Sequence, residues 1–241
     1  VVGEGGLAAL EAEAPAWTVD VVRRCDMATE DTFTGQRLPL YWNWLRNPTM
    51  ANYRLGERPG TLRLVGSEAT LDALDSPTFL GRRQRHHEVR VSVDLDFVPT
   101  RDGEEAGLTV FMNPRHHYEV AVTREQGQRL AISRRTIGSL QVVTARAPLP
   151  ATGAITLSIS AETPEGVGPR SHYVGDPEYL LGLVAAEGPL QVLDRPEMRY
   201  VSTEVAGGFT GVYLGMYATG NGVPCVAPAD FSRFRYEPRV S

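Results

Sequence analysis

The sequence predicts an all-β fold, a concanavalin A-like β-sandwich or jelly roll of two antiparallel sheets. Apolar and polar residues alternate at the period of a half-buried strand over many short stretches, turn residues separate those stretches at regular spacing, and helical periodicity is almost absent. No repeat of fixed length runs through the chain, which disfavours a complete propeller. One sandwich domain of this size is ordinary for 241 residues.

Taken in order, the first 30 residues offer one short helix over 7–13, stopped by Pro15, and an extended or linker stretch over Trp17–Val22. Tyr53–Leu55 and Leu62–Leu64 flank Glu57-Arg58-Pro59-Gly60, a turn-rich join between short strands. Val89–Phe97 alternates through nine residues, so one face enters the core and the other meets water. Arg101-Asp102-Gly103 supplies the next turn. Strands over 106–112, 118–123 and 129–134 form a meander, with Gln126-Gly127 turning between the last two. Leu140–Ala145 and Ile155–Ser160 continue the alternation, and Gly211–Tyr217 and Phe231–Tyr236 close the chain. Between Pro164 and Arg199 glycine and proline interrupt every run, so long loops or an insertion are expected there.

A net charge of -5 and a pI near 5.6 exclude nucleic acid and anionic membranes as expected partners. All 24 basic residues are Arg. No apolar run approaches the roughly 18 residues that span a bilayer, and Val1–Gly6 lacks the basic-then-apolar pattern of a signal peptide. Cytoplasmic placement is favoured over secretion on that basis, and self-association as a homo-oligomer stays open. Cys25 and Cys225 sit near opposite ends of the sequence. A sandwich whose terminal strands are neighbours would let them pair; two separate thiols is the favoured reading.

Candidate chemistry is sparse. His86-His87 and His116-His117 invite a metal, but adjacent strand residues point to opposite faces, and no zinc-type ligand spacing accompanies them. No Gly-x-Ser-x-Gly elbow is present, and Cys225 precedes no helix and has no nearby His. Gly207-Gly208-Phe209-Thr210-Gly211 lies between strands rather than opening a helix, so it is a poor phosphate cradle. Glu104-Glu105 and Asp94/Asp96 fit a turn and the wet face of a strand; a catalytic pair assembled from distant strands stays open. Asp31, next to Glu30, and Asp230 would meet if the terminal strands pair, and such chain-end carboxylates hold structural Ca²⁺ in many sandwiches. Solvated carboxylates are the favoured alternative, and no cofactor is required.

Six separated motifs add a resemblance. They are Leu38–Pro48, Arg58–Leu64, Pro77–Gln84, Glu105–Leu108, Gly207–Ala218 and Ala229–Glu237. In this order they resemble the C-terminal concanavalin A-like β-sandwich of glycoside hydrolase family 43 β-xylosidases and α-L-arabinofuranosidases, over about Asp31 to Pro238. Val1–Leu7 is similar to the tail of that family's five-bladed propeller. The resemblance therefore implies a division into residues 1–30, the end of an upstream propeller plus linker, and 31–241, the sandwich. It implies that the three catalytic carboxylates belong to the propeller, in the same full-length chain or a separate one, and that this chain alone is not catalytic. It also implies that one sandwich loop narrows a pocket for a xylo- or arabino-oligosaccharide, which maps onto Phe209 and Thr210.

Physical reasoning agrees that flanking glycines let the backbone bend sharply and leave a Phe outside the core, where its face suits the C–H-rich face of a sugar. Without the resemblance, Phe209 would be read as packing inward at the start of the next strand. Two other functions stand beside this one. A free-standing carbohydrate-binding module would stack sugars on exposed aromatics, with Trp42, Trp44, Tyr41 or Tyr118 as candidates. An independent glycosidase would need a cryptic carboxylate pair on the sandwich.

Overall fold

A computed structural model describes residues 28–163, 176–185 and 188–239. The helix expected over 7–13, the Trp17–Val22 stretch and Cys25, with any Cys25–Cys225 bond, lie outside the described residues. In chain order the strands are β1 (Thr29–Asp31), β2 (Tyr53–Leu55), β3 (Leu62–Leu64), β4 (Thr78–Arg83), β5 (Val89–Asp96), β6 (Glu105–Asn113) and β7 (His116–Glu125). They continue with β8 (Gln128–Ile137), β9 (Leu140–Pro148), β10 (Ile155–Glu162), β11 (Glu178–Ala185), β12 (Gln191–Asp194), β13 (Tyr213–Thr219) and β14 (Ala229–Pro238). A four-residue helix, α1 (Thr203–Ala206), precedes β13.

The strands form two antiparallel sheets, as predicted. The first has eight strands, in the order β12-β11-β10-β5-β14-β3-β2 with β1 added beside β14; the second has six, in the order β4-β13-β6-β7-β8-β9. The core lies between them. The alternation of β5 sends Val89, Val91, Val93 and Leu95 inward, and β10 answers with Ile155, Leu157, Ile159 and Ala161. The second sheet contributes Leu108, Val110, Tyr118, Val120, Leu214 and Met216. Burying each of these side chains is worth about 1.5–3 kcal/mol.

A bulge in β14 fixes how the chain ends are joined. Arg233 adopts φ 49°, and the pairing of β14 with β5 shifts register between Ser232 and Arg235. The extra residue lets Phe231 and Phe234, three apart, both point inward. Along its other edge, β14 pairs with β3 through Ala229–Phe231 and with β1 through Phe234–Tyr236.

The structure differs from expectation over 164–199, where it places β11 and β12 among its described residues. Tyr179, Leu181 and Leu183 face the core while Leu180, on the other face, is also buried. A strand buried on both sides reads as a continuous apolar run rather than an alternation. Gly182 is needed because a Cβ there would stand 2.4 Å from the carbonyl oxygen of Gln191 on the neighbouring strand. The glycine that looked like a breaker is a close approach between strands.

The outer face of the second sheet is apolar as well. Leu71, Phe79, Phe111, Ala121, Leu130, Ile132 and Tyr217 form a second cluster there, partly covered by Leu45 from a loop. The seven residues Glu105–Phe111 of β6 are consequently all buried.

Candidate functional site

The loop between α1 and β13 is held at both ends and free at its tip. Gly207 and Gly208 adopt φ 75° and 95°, a left-handed region that a side chain enters at a cost of about 1–2 kcal/mol. They end α1, where the Gly207 amide donates to Thr203 O at 3.1 Å. The Asn113 side-chain amide donates to Ala206 O at 2.9 Å, tying the loop's start to the end of β6. At its exit Arg83 Nη1 donates to Gly211 O at 2.5 Å, and the same guanidinium lies 4.0 Å from the centre of the Tyr213 ring. The Gln84 amide donates to Val212 O at 3.1 Å. Between these anchors Phe209 is 103% exposed, and Thr210 beside it is exposed. Phe209 does not begin β13; that strand starts four residues later, at Tyr213.

The remaining predicted residues are placed elsewhere. Trp42 is 3% exposed, 4.8 Å edge-on from Phe234 and 6.2 Å from Phe33. Trp44 packs partly buried against Tyr53, with ring centres 6.3 Å apart. Tyr118 is fully buried, and Tyr41 alone of the four is exposed, at 38%. Core packing therefore takes the aromatics that a sugar-stacking row would need.

Asp31 and Asp230 do not form a cation site. The terminal strands do pair, but Asp31 stands opposite inward-facing Phe234, whereas Asp230 stands opposite Arg63 and Asp96 on the outer face. Cross-strand partners share a face, so the two carboxylates lie on opposite sides of the sheet. Asp31 Oδ1 accepts from the Tyr41 hydroxyl at 2.6 Å. Asp230 accepts from Arg63 Nε at 2.7 Å and Nη2 at 2.9 Å, and from Arg58 at 3.3 Å. Burial opposes its charge, but Arg63 and Arg58 outweigh that and hold its pKa below the usual range. Both residues are buried rather than solvated, and the pair does not fit Ca²⁺, which needs six to eight converging oxygens.

Glu104 and Glu105 likewise depart from expectation, each being 1% exposed rather than part of a wet turn. Glu104 accepts from backbone amides of two loops, Val226 at 2.6 Å and Thr100 at 2.7 Å among them. Glu105 is brought near Glu119 of β7, the assembly of distant carboxylates that the sequence left open. Arg134 joins them, donating to Glu105 Oε1 at 3.0 Å and to Glu119 Oε2 at 2.6 Å. Burial raises the Glu119 pKa, but Arg134 and His117 outweigh it and lower it overall. A carboxylate held ionised by a guanidinium is a poor general acid, so this pair does not supply glycosidase chemistry. The histidines are dispersed: His116 Nδ1 lies 2.7 Å from Tyr200 O, and His117 Nδ1 lies 3.2 Å from Asn113 O. Among the described residues, no three His, Cys, Asp or Glu side chains are grouped to hold a metal.

Sequence reasoning found Phe209 and missed its anchors. The pairing of Arg83 with Gly211 spans 128 positions, and no local signal announces it.

The family model for the β-xylosidase C-terminal concanavalin A-like domain matches residues 30–237. The chain belongs to this family. A non-reducing end α-L-arabinofuranosidase of Bacteroides ovatus is 38% identical over 211 residues, which cover 88% of this domain's chain and 37% of that protein. Among solved structures, the Bacteroides ovatus xyloglucan PUL GH43B superposes with a TM-score of 0.78 at 39% identity, over 87% of this chain and 39% of that one. A xylan β-1,4-xylosidase from Bacillus halodurans superposes with a TM-score of 0.73 at 26% identity, over 86% of this chain and 38% of that one. This C-terminal domain thus spans under two-fifths of the length of each of these relatives.

Proposed function

We propose that the chain is the accessory sandwich of a longer family 43 glycosidase that acts on xylo- or arabino-oligosaccharides. In this reading it packs on a catalytic five-bladed propeller, and the Phe209 loop closes the mouth of the propeller's sugar pocket. The observation that carries the proposal is a Phe side chain at 103% exposure on a loop anchored at both ends. A fully wetted aromatic forgoes about 2–3 kcal/mol of burial, which a packed partner would restore. Its ring face suits a sugar's C–H face, and a wall placed there excludes water from a reacting bond. The names of the relatives supply the substrate class.

The test is steady-state hydrolysis of nitrophenyl arabinofuranoside and xyloside by the full-length protein and its F209A variant. Loss of an aromatic wall worth about 1.5–3 kcal/mol lowers kcat/KM by about 10- to 100-fold, with the thermal midpoint unchanged because the ring is exposed. Equal kcat/KM in the two proteins overturns the loop's role.

A further inference from the structure

We propose that a pocket on the outer face of the second sheet binds one neutral sugar unit, held by Glu105, Glu119 and Arg134. The site goes beyond the Phe209 loop and does not rest on it. Thr219 and Glu105 mark its end of β13 and β6, whereas the loop enters β13 at Tyr213. Seven residues of strand separate the two, roughly 20 Å.

The floor of the pocket is built from strand register. Glu119 faces Arg134 across β7 and β8, and Thr109 stands beside Glu119 on β6. Arg134 Nη1 reaches both carboxylates, its Nη2 donates to Glu105 Oε2 at 2.5 Å, and the Tyr217 hydroxyl donates to Glu105 Oε1 at 2.7 Å. Glu105, Glu119 and Tyr217 are each 2% exposed or less.

Protein groups leave this network unfinished. A carboxylate offers about four acceptor positions; Glu105 uses three, and Glu119 accepts one good hydrogen bond. Arg134 keeps its Nε–H and one Nη2–H uncommitted to these carboxylates. Two further buried atoms on this face have no hydrogen-bond partner, Thr109 Oγ1 and His117 Nε2, the latter aimed at Glu119 Oε1 from 3.4 Å. Above the floor lies a cavity of about 410 Å³, within the range of small-ligand sites. Leu71 and Val143 give it an apolar wall, and Asp72 and Asn221 stand at its margin.

The charge pattern selects the ligand. Three carboxylates, Glu105, Glu119 and Asp72, repel an anion, while the central Arg134 repels a second cation from the same floor. A neutral polyol satisfies both, donating hydroxyl protons to the spare carboxylate positions and accepting from the guanidinium. Its C–H face matches Leu71 and Val143. A ring with several hydroxyls on one side and C–H groups on the other is a sugar.

The experiment titrates this chain with D-xylose and with L-arabinose, followed by amide NMR shifts. Saturable shifts confined to residues 70–72, β6–β8 and the end of β13 are expected, with a Kd on the order of 1–10 mM. E119A weakens binding by about tenfold or more. V143W abolishes it by filling the apolar wall while leaving the ion pairs in place, and it keeps the test open should E119A fail to fold. F209A leaves binding unchanged, so this site and the loop stand or fall separately. No saturable shift with either sugar up to about 0.1 M overturns the proposal. So does binding that survives V143W, or binding of glucuronate, inorganic phosphate or guanidinium in place of the neutral sugars.

Discussion

Glu104 lies where two loops meet, and four backbone N–H groups converge on it: those of Thr100, Arg101, Val226 and Ala227. Burial alone would raise its pKa. The four donors outweigh burial and hold the carboxyl down to about 2, against an ordinary 4.5. Because the folded pKa is the lower one, the stabilisation is fully present above about 4.5 and is lost as pH falls toward 2, an effect of about 3 kcal/mol. E104Q presents one acceptor oxygen and a clashing NH₂ to the same donors. Its urea midpoint at pH 7 is expected to fall by the equivalent of about 2–3 kcal/mol, and its stability is expected to be flatter than the parent's between pH 4.5 and 2. A parallel pH profile in the two proteins would remove Glu104 from this role. Nothing near Glu104 in the sequence foretells its burial. Arg101-Asp102-Gly103 marks a turn correctly, but the amides that cover the carboxylate arrive from 122 positions away.

The Phe209 loop depends on elements rather than on its own residues. Between Asn113 at one end and Arg83 at the other, few contacts hold it. R83A removes the bond to Gly211 and the stack on Tyr213 without opening the core. Amide hydrogen exchange over 207–212 is expected to speed up about tenfold, the equivalent of one charge-assisted hydrogen bond, with little change in the global urea midpoint. Unchanged exchange would show that the glycines alone set the loop. The same scale separates what the sequence shows from what it hides. β5 and β10 carry one wet face each, so their alternation is legible in the residue pattern alone. β4 and β11 bury both faces, and β6 buries seven residues in succession, which replaces the alternation with an apolar run or a broken pattern. The loop itself was legible because two glycines before an aromatic have few uses inside a strand, whereas the Glu105–Arg134–Glu119 floor needs the register of β6, β7 and β8.

At the scale of the whole molecule, the ends of the described chain are stitched together around one buried cation. Arg82 is 2% exposed, and its guanidinium lies 4.4 Å from the Tyr41 ring centre and 4.3 Å from that of Tyr236 on β14. Burial pushes its pKa down, opposed by Tyr41 and Asp31. β1 supplies the polar partners: Arg82 Nη1 donates to Thr29 Oγ1 at 2.8 Å, and Asp31 provides the nearby charge while accepting from Tyr41. Three residues of strand therefore do two tasks, covering the edge of β14 beyond its bulge and neutralising a charge that β4 brings into the core. A chain starting at Ala28 keeps both; one starting at Thr32 keeps neither and leaves a buried guanidinium against aromatic rings alone. Removing one partner of a buried pair costs about 3–5 kcal/mol. The urea midpoints of the two truncations, read from the fluorescence of buried Trp42, are expected to differ by that equivalent. If Arg82→Met is then introduced, the charge disappears and most of the difference is expected to disappear with it, leaving only the lost ladder of β1. A difference that persists undiminished in the Met variant would assign the stabilisation to strand pairing and not to the buried cation.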